Sequence, residues 1–120
     1  AQPACDTAQF TKLTEDFDAN RVKFLQWIKP YDLVICPTDH APAEPWPDEP
    51  RWTPPKPGNY GYTGTYNNTG WPGTVVRAGT SPEGLPIGIQ LITKPWREDI
   101  SLAAASFVEA GTGGYQKPAI

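Results

Sequence analysis

The sequence carries one histidine, and this residue is the first candidate for chemistry. His40 directly follows Asp39 in a proline-rich stretch. An imidazole beside a carboxylate could act as a base with an orienting partner, or as half of a metal site. Neighbours in sequence rarely orient each other in that way, and no second histidine or suitably spaced cysteine completes a site. A solvent-exposed loop histidine is the preferred interpretation.

Carboxylates, glycines and serines give no stronger signal. Glu44, Asp48 and Glu49 lie close together, but glycoside hydrolysis needs two carboxyl groups that face each other across a sugar. We interpret them as solvated charges. Residues 111–114 are rich in glycine but follow a predicted helix, so they do not form a phosphate-binding loop between a strand and a helix. No nucleophile elbow or Ser-x-x-Lys spacing surrounds Ser81, Ser101 or Ser106.

Length and composition set the limits for any function. A chain of 120 residues suits one small domain or a piece of a larger one. Its hydrophobic fraction of 38% is typical of a globular protein, whereas 15 prolines and 11 glycines predict much irregular backbone. A net charge of -3 and scattered cations argue against nucleic acid as a partner. No apolar run reaches the roughly 20 residues of a membrane helix, so we expect a cytoplasmic protein without a membrane partner.

Two further features concern the residue types themselves. The chain contains no methionine, even at position 1, which suggests processing or fragmentation of a longer chain. Its two cysteines, Cys5 and Cys36, have no metal-ligand spacing. One bridge between them is possible, and two inert thiols are the preferred interpretation.

The elements that must position any site begin with a predicted helix over residues 14–28. Apolar side chains recur there at spacings of three and four. Thr14 or Asp18 could cap its start, and Lys29 and Pro30 should end it because a residue before proline avoids helical backbone. The apolar face consists of Phe17, the stem of Arg21, Phe24, Leu25 and Ile28.

An apolar run over residues 32–36 then predicts a strand covered on both faces, which indicates an α/β protein. Residues 37–59 are crowded with prolines and predict a long surface loop, although Trp46 and Trp52 argue against simple disorder. For residues 59–73 propensity alone decides no conformation.

The last part of the chain predicts a hairpin and a helix. Residues 74–93 contain two runs of strand composition around a reverse turn at residues 81–84. Residues 98–110 predict a second helix that opens with two acidic residues and ends before Gly111. Its buried face should consist of Ile100, Ala103, Ala104, Phe107 and Val108.

Three ordered motifs resemble the amidase signature family. Residues 62–79, YTGTYNNTGWPGTVVRAG, resemble the family pattern Y-T-x-P-F-N-x-A-G-x-P-A-x-S-V-P-x-G. Residues 83–92, EGLPIGIQLI, resemble its D-G-L-P-x-G-x-Q-L-x hairpin, and residues 31–38, YDLVICPT, resemble its Y-D-x-L-L-x-P-T strand. The closing helix and residues 113–116 also resemble the usual ending, so the resemblance covers nearly the whole chain as the family's C-terminal segment.

The resemblance is not complete. Departures from the residues usual in the family include Thr65, Asn68, Thr69, Trp71 and Arg77. These departures make the region between Asn67 and Trp71 more polar and bulkier than is usual in the family.

The resemblance implies an α/β fold with a mixed central sheet flanked by helices, and hydrolysis of carboxylic amides without a metal or cofactor. In the family, a lysine deprotonates a bridging serine on a cis peptide, and this serine activates a nucleophilic serine. No residue of this chain matches that Gly-Ser-rich signature, so no catalytic residue is assigned here. The resemblance instead suggests Thr38, Trp46, Tyr62 and Thr63 as lining of a substrate pocket; for Tyr62 and Trp46, plain packing is the equally weighted alternative.

The apolar side chains of both predicted helices and the hairpin need more cover than 120 residues supply. We therefore expect the remaining N-terminal portion of the same enzyme as partner, as a separate chain or a cleaved fragment, and a small-molecule amide as substrate. Two alternatives stay open. One is a non-catalytic module that binds carbohydrate or peptide through its aromatic residues, and the other is an amidotransferase relative that delivers ammonia to a charged tRNA.

Overall fold

The computed structural model of the chain describes residues 4–42 and 61–117. Within these ranges the elements are α1 (Thr7–Ile28), β1 (Leu33–Pro37), α2 (Gly64–Thr69), β2 (Gly73–Thr80), β3 (Pro86–Thr93) and α3 (Glu98–Thr112). The chain separates into two compact units, Ala1–Asp32 and Leu33–Ile120. Helices combined with a three-stranded sheet confirm the α/β class. Most of the expected loop 37–59 lies outside the described residues.

Helix α1 begins seven residues earlier than the predicted position 14. Asp6, not Thr14 or Asp18, caps it: the Asp6 carboxylate accepts from the backbone N–H of Gln9 at 2.8 Å. The Gln9 side chain accepts in return from the backbone N–H of Asp6 at 3.0 Å. This capping box satisfies two backbone donors at the helix start. Thr14 lies inside the helix, where its hydroxyl donates to the carbonyl oxygen of Phe10.

Helix α1 ends at the predicted residue, but for a different physical reason. The helix ends at Ile28, and Lys29 keeps a helical backbone with φ −46° and ψ −47°. Pro30 therefore ends the helix because it has no N–H to donate, rather than by pushing Lys29 out of the helical region. Of the predicted apolar face, Ile28 is buried, whereas Phe17, Phe24 and Leu25 stay exposed.

The sheet has the order β1-β3-β2, and both pairings are antiparallel. Strands β2 and β3 form a hairpin. At its turn the N–H of Gly84 donates to the carbonyl oxygen of Ser81 at 3.0 Å, and Gly84 adopts the left-handed conformation with φ 87°. Strand β1 is an edge strand, and its Ile35 is 58% exposed. The expectation that β1 is covered on both faces is therefore wrong for the described residues.

Helix α3 packs on one face of the sheet. Leu91, Val76 and Ala105 form the centre of this core, and four partly buried side chains surround them: Leu33, Ile89, Ala104 and Val108. The Thr74 hydroxyl also donates to the Ser101 hydroxyl at 3.0 Å. The predicted face of α3 is thus partly wrong, because Ala103 is exposed and Phe107 is 83% exposed. Small residues fill the contact, since they let the helix approach the sheet closely.

The C-terminal end of α3 is fixed by Arg77, one of the departures from the family pattern. Its guanidinium donates to the carbonyl oxygens of Thr112 at 3.3 Å and Gly114 at 3.5 Å. The Thr112 hydroxyl donates back to the carbonyl oxygen of Arg77 at 3.0 Å. The helix ends at Thr112 rather than before Gly111, and Gly113 follows it with φ 79°. A cation suits this position because the last carbonyls of a helix carry partial negative charge.

Candidate functional site

The opposite face of the sheet carries the predicted pocket residues. Side chains alternate along a strand, so the register puts Cys36, Gln90 and Val75 together on the face away from α3. Tyr62 and Tyr66, from the segment that leads into and forms α2, contact this face through hydrogen bonds to Gln90 and Cys36. We call it the α2 face.

Gln90 is the centre of the α2 face. Its side chain is only 4% exposed. The Nε2 atom donates to the carbonyl oxygen of Pro37 at 2.8 Å and to that of Tyr62 at 2.7 Å. A carboxamide nitrogen has two hydrogens, so both are used. One side chain of the central strand therefore connects the end of β1 with the segment that precedes α2.

Thr38 is held beside the same strand. Its hydroxyl donates to the carbonyl oxygen of Gly88 at 3.3 Å. A Cβ at Gly88 would lie 3.3 Å from Val75 Cγ1 and 3.7 Å from Thr38 Cγ2. A side chain at position 88 would thus press on Val75 but only touch Thr38.

Tyr62 and Thr63 follow at the start of α2. The Thr63 carbonyl accepts from the backbone N–H groups of Tyr66 at 3.1 Å and Asn67 at 3.0 Å, which starts the helix. The Tyr62 ring is 42% exposed, so it is not fully packed away. Thr38, Tyr62 and Thr63 are thus brought to one side of the sheet through Gln90, whereas the predicted Trp46 lies outside the described residues.

Tyr66 of α2 and Trp71 form an aromatic pair. The Tyr66 and Trp71 rings have centroids 6.4 Å apart, and Trp71 is only 6% exposed. The Cys36 sulfur and the Tyr66 hydroxyl oxygen are hydrogen-bond partners 3.7 Å apart. Burial, followed by the hydrogen bond with Cys36, raises the pKa of Tyr66 to about 12. Tyr66 is therefore a neutral phenol at physiological pH, and Trp71 is a packing residue.

The described hydrogen bonds of His40 are with its neighbour Asp39, not with residues of the α2 face. His40 Nδ1 and the His40 backbone N–H each lie 2.6 Å from Asp39 Oδ1, so the neighbours do pair. Both side chains are about half exposed. The backbone N–H of His40, followed by its ring, lowers the pKa of Asp39. The two form an exposed hydrogen-bonded pair on the loop after β1, in line with the preferred interpretation.

Metal-ligand types do not cluster elsewhere in residues 4–42 and 61–117, where no three His, Cys, Asp or Glu side chains are placed to hold a metal ion. Both cysteines are free thiols, with Cys5 exposed and Cys36 half-buried.

An open cleft of about 290 Å³ lies near the end of α2. Trp96 at its rim has a left-handed backbone with φ 65°. The lining consists of Thr69, Gly70, Pro72, Pro95, Trp96 and Glu98. Thr38, Tyr62 and Thr63 are not among these, so in the described part of the chain the cleft is separate from the α2 face arrangement.

Gln90 is the functional candidate that residue-level reasoning missed. Its position in the hairpin motif is visible in the sequence, but composition cannot show that one amide reaches two segments 28 and 53 residues away. The available signal is a polar side chain in the middle of an apolar strand, which must find partners when it is buried.

Comparison with known proteins agrees with the family resemblance of the sequence motifs. The family model described as Amidase matches residues 3–102. Fatty-acid amide hydrolase 2-A of Danio rerio is 40% identical over 62 residues, which cover 52% of this chain and 12% of that protein. Fatty-acid amide hydrolase 2 of Homo sapiens is 29% identical over 92 residues, which cover 77% of this chain and 15% of that protein.

A further relative has a different name. A glutamyl-tRNA(Gln) amidotransferase subunit of Jannaschia sp. is 47% identical over 58 residues, which cover 48% of this chain and 12% of that protein. The chain thus spans less than a sixth of the length of these relatives. No solved structure matches significantly. None of the described helices is both long and apolar enough to span a membrane.

Proposed function

This chain belongs to the amidase family, and from that membership we propose that it is the C-terminal part of an enzyme that hydrolyses carboxylic amides. The catalytic residues lie outside this chain. In the proposed reaction a lysine accepts the proton of a bridging serine, which accepts the proton of the nucleophilic serine. The nucleophile attacks the amide carbonyl, the amine leaves with a proton, and water then hydrolyses the acyl-enzyme to the acid.

The role proposed for this chain is to supply part of the pocket wall. The observation that carries it is the pair of hydrogen bonds from Gln90 to the carbonyl oxygens of Pro37 and Tyr62. They join the two segments that hold Thr38, Tyr62 and Thr63, which we propose as substrate-lining residues together with Trp46. The half-exposed Tyr62 ring is available to a ligand.

The remainder of the enzyme is the proposed partner, either as a separate chain or as a cleaved fragment. The small share of each relative that this chain covers supports this proposal. A small-molecule amide is the proposed substrate, and a cytoplasmic location remains a prediction.

The test is the intact mass and amidase activity of native material that contains this chain, before any denaturing separation. We expect a companion polypeptide, or a longer chain, with the Gly-Ser-rich signature, and hydrolysis of simple aryl, aliphatic or long-chain fatty acyl amides. Replacing the signature serine that acts as nucleophile should abolish activity. A folded, monomeric chain of 120 residues without a companion would contradict the proposal.

A second candidate is the transfer of ammonia to a charged tRNA, which the 47% identity to a glutamyl-tRNA(Gln) amidotransferase component favours. The two candidates differ in what activity requires. A hydrolase should act on simple amides without other kinds of polypeptide, whereas an amidotransferase should need further protein components and an acceptor tRNA. Assays with and without these components separate them.

The aromatic binding module has less support. An exposed stacking platform needs rings that face solvent, but Trp71 is buried and packs near Tyr66. The α/β class also differs from the all-β architecture usual for such modules. Trp46, Trp52 and Tyr60 lie outside the described residues.

A further inference from the structure

The buried carboxamide of Gln90 has a chemistry that no similarly sized side chain reproduces. Both of its described partners are carbonyl oxygens, at 2.7 and 2.8 Å, so the nitrogen rather than the oxygen of the amide must face them. A carboxylate at the same place could only accept and would repel both carbonyls. An aliphatic side chain would leave both without this donor. Among uncharged side chains, two donors on one atom are therefore specific to the amide.

The position of Gln90 makes this link rigid. It lies on β3, the central strand, and is paired with Cys36 on one side and Val75 on the other. Its side chain is nearly inaccessible to solvent. The nitrogen is thus held by a framework, and the carbonyl oxygens of Pro37 and Tyr62 are positioned relative to it. Thr38 gains a further attachment to β3 through the Gly88 carbonyl.

We propose that Gln90 is a positioning residue of the amide-binding pocket. Its two hydrogen bonds set the distance between the segment that ends in Thr38 and the segment that contains Tyr62 and Thr63. That distance sets the width of the part of the pocket that receives the substrate's acyl or leaving group. This inference rests on the proposed amidase function. Gln90 contacts no reacting atom and acts only through the segments that it holds.

The test compares three variants in the complete enzyme with a graded series of acyl amides. Gln90→Leu removes both donors. Gln90→Glu removes them while the carboxyl group is ionised but restores one O–H donor when it is protonated. Thr74→Val is the matched control, because it removes one partly buried hydrogen bond to Ser101 on the opposite face of the same sheet. Ser101 keeps its own acceptor, the Glu98 carbonyl oxygen.

We expect Gln90→Leu to lower kcat/KM by about 10- to 100-fold, because small displacements of positioning groups have effects of that size. Most of the loss should be in KM, and the preferred acyl length should change. The kcat/KM of Gln90→Glu relative to wild type should rise as the pH falls, whereas that of Gln90→Leu should stay constant. Thr74→Val should lower Tm without either effect.

Three results would overturn the inference. If Gln90→Leu and Thr74→Val change Tm and kinetics in parallel, Gln90 only supports the fold. A constant Gln90→Glu ratio across pH would show that the donor is not the relevant property. A complete wild-type enzyme that hydrolyses no amide would overturn the proposed function as well as this inference, so the two failures are distinguishable.

Discussion

At the scale of single residues, burial of the Tyr66 hydroxyl makes the free energy of unfolding depend on pH. Its pKa is raised to about 12, first by burial and then by Cys36. The ordinary tyrosine pKa is about 10. A group whose folded pKa is raised stabilises the fold fully below the unfolded pKa, and this contribution is lost as pH rises through the folded pKa. The stability should therefore fall with increasing pH between about 10 and about 12.

The prediction is that Tyr66→Phe weakens this alkaline decrease, which urea unfolding of the complete enzyme at increasing pH would measure. Cys36→Ala separates the two causes, because it removes the hydrogen bond but leaves the ring where it is. Ultraviolet titration should then show a Tyr66 pKa that is lower than in wild type but still above the ordinary value. An unchanged alkaline slope in Tyr66→Phe would contradict this account.

The residue scale also shows what the sequence can and cannot predict about the site. Thr38, Tyr62 and Thr63 follow from motif resemblance, and the structure brings their segments together. The hydrogen bonds of Gln90 are not predictable, because they depend on the pairing of β1 with β3. Arg77 is only a departure from a pattern until its contacts with the end of α3 are known.

At the scale of elements, strands are easier to predict than helix ends. The hairpin follows from two runs of strand composition around a turn with Pro82 and Gly84. The predicted start of helix α1 is too late because the spacing of three and four continues backwards through Leu13 and Phe10. It reaches the capping box of Asp6 and Gln9, which marks the true start. Helix α2 is not predicted from the sequence, because six residues are too few to show a helical periodicity of apolar residues.

Local backbone geometry explains where α2 ends and gives a testable consequence. Gly70 follows the helix with φ 71°, a conformation that an L-residue adopts at a cost of about 1–2 kcal/mol. Gly70→Ala should therefore destabilise the complete enzyme by about 1 kcal/mol, measured by urea or thermal unfolding.

Gly79 provides the matched control for this prediction. An added Cβ meets no atom within 4 Å at either glycine, but Gly79 has no positive φ. Gly79→Ala should thus be neutral or slightly stabilising, since it restricts only the unfolded chain. Equal effects of the two substitutions would show that the backbone conformation at Gly70 is not what limits α2.

At the scale of the whole molecule, the exposed apolar surface is large for a chain of this size. On α3, Leu102 is 58% exposed and Phe107 is 83% exposed. Large apolar side chains that stay exposed in this way can mark an interaction site or a tendency to aggregate. Val75 and Ile35 on the sheet are also exposed. Together with the small share of its relatives that the chain spans, this supports cover by the proposed remainder of the enzyme.

This interpretation predicts that one pair of substitutions has opposite effects in two contexts. Produced alone, the chain should bind a hydrophobic dye and self-associate, and replacing Leu102 and Phe107 with serine should reduce both effects. In the complete enzyme the same pair should destabilise by about 1.5–3 kcal/mol for each side chain that becomes buried there. Ala103→Ser, at an exposed position of the same helix, should have little effect in either context.

An isolated chain that is monomeric and binds no dye would contradict the prediction. An unchanged stability of the complete enzyme would show that α3 stays exposed to solvent, and that the rest of the enzyme covers a different surface.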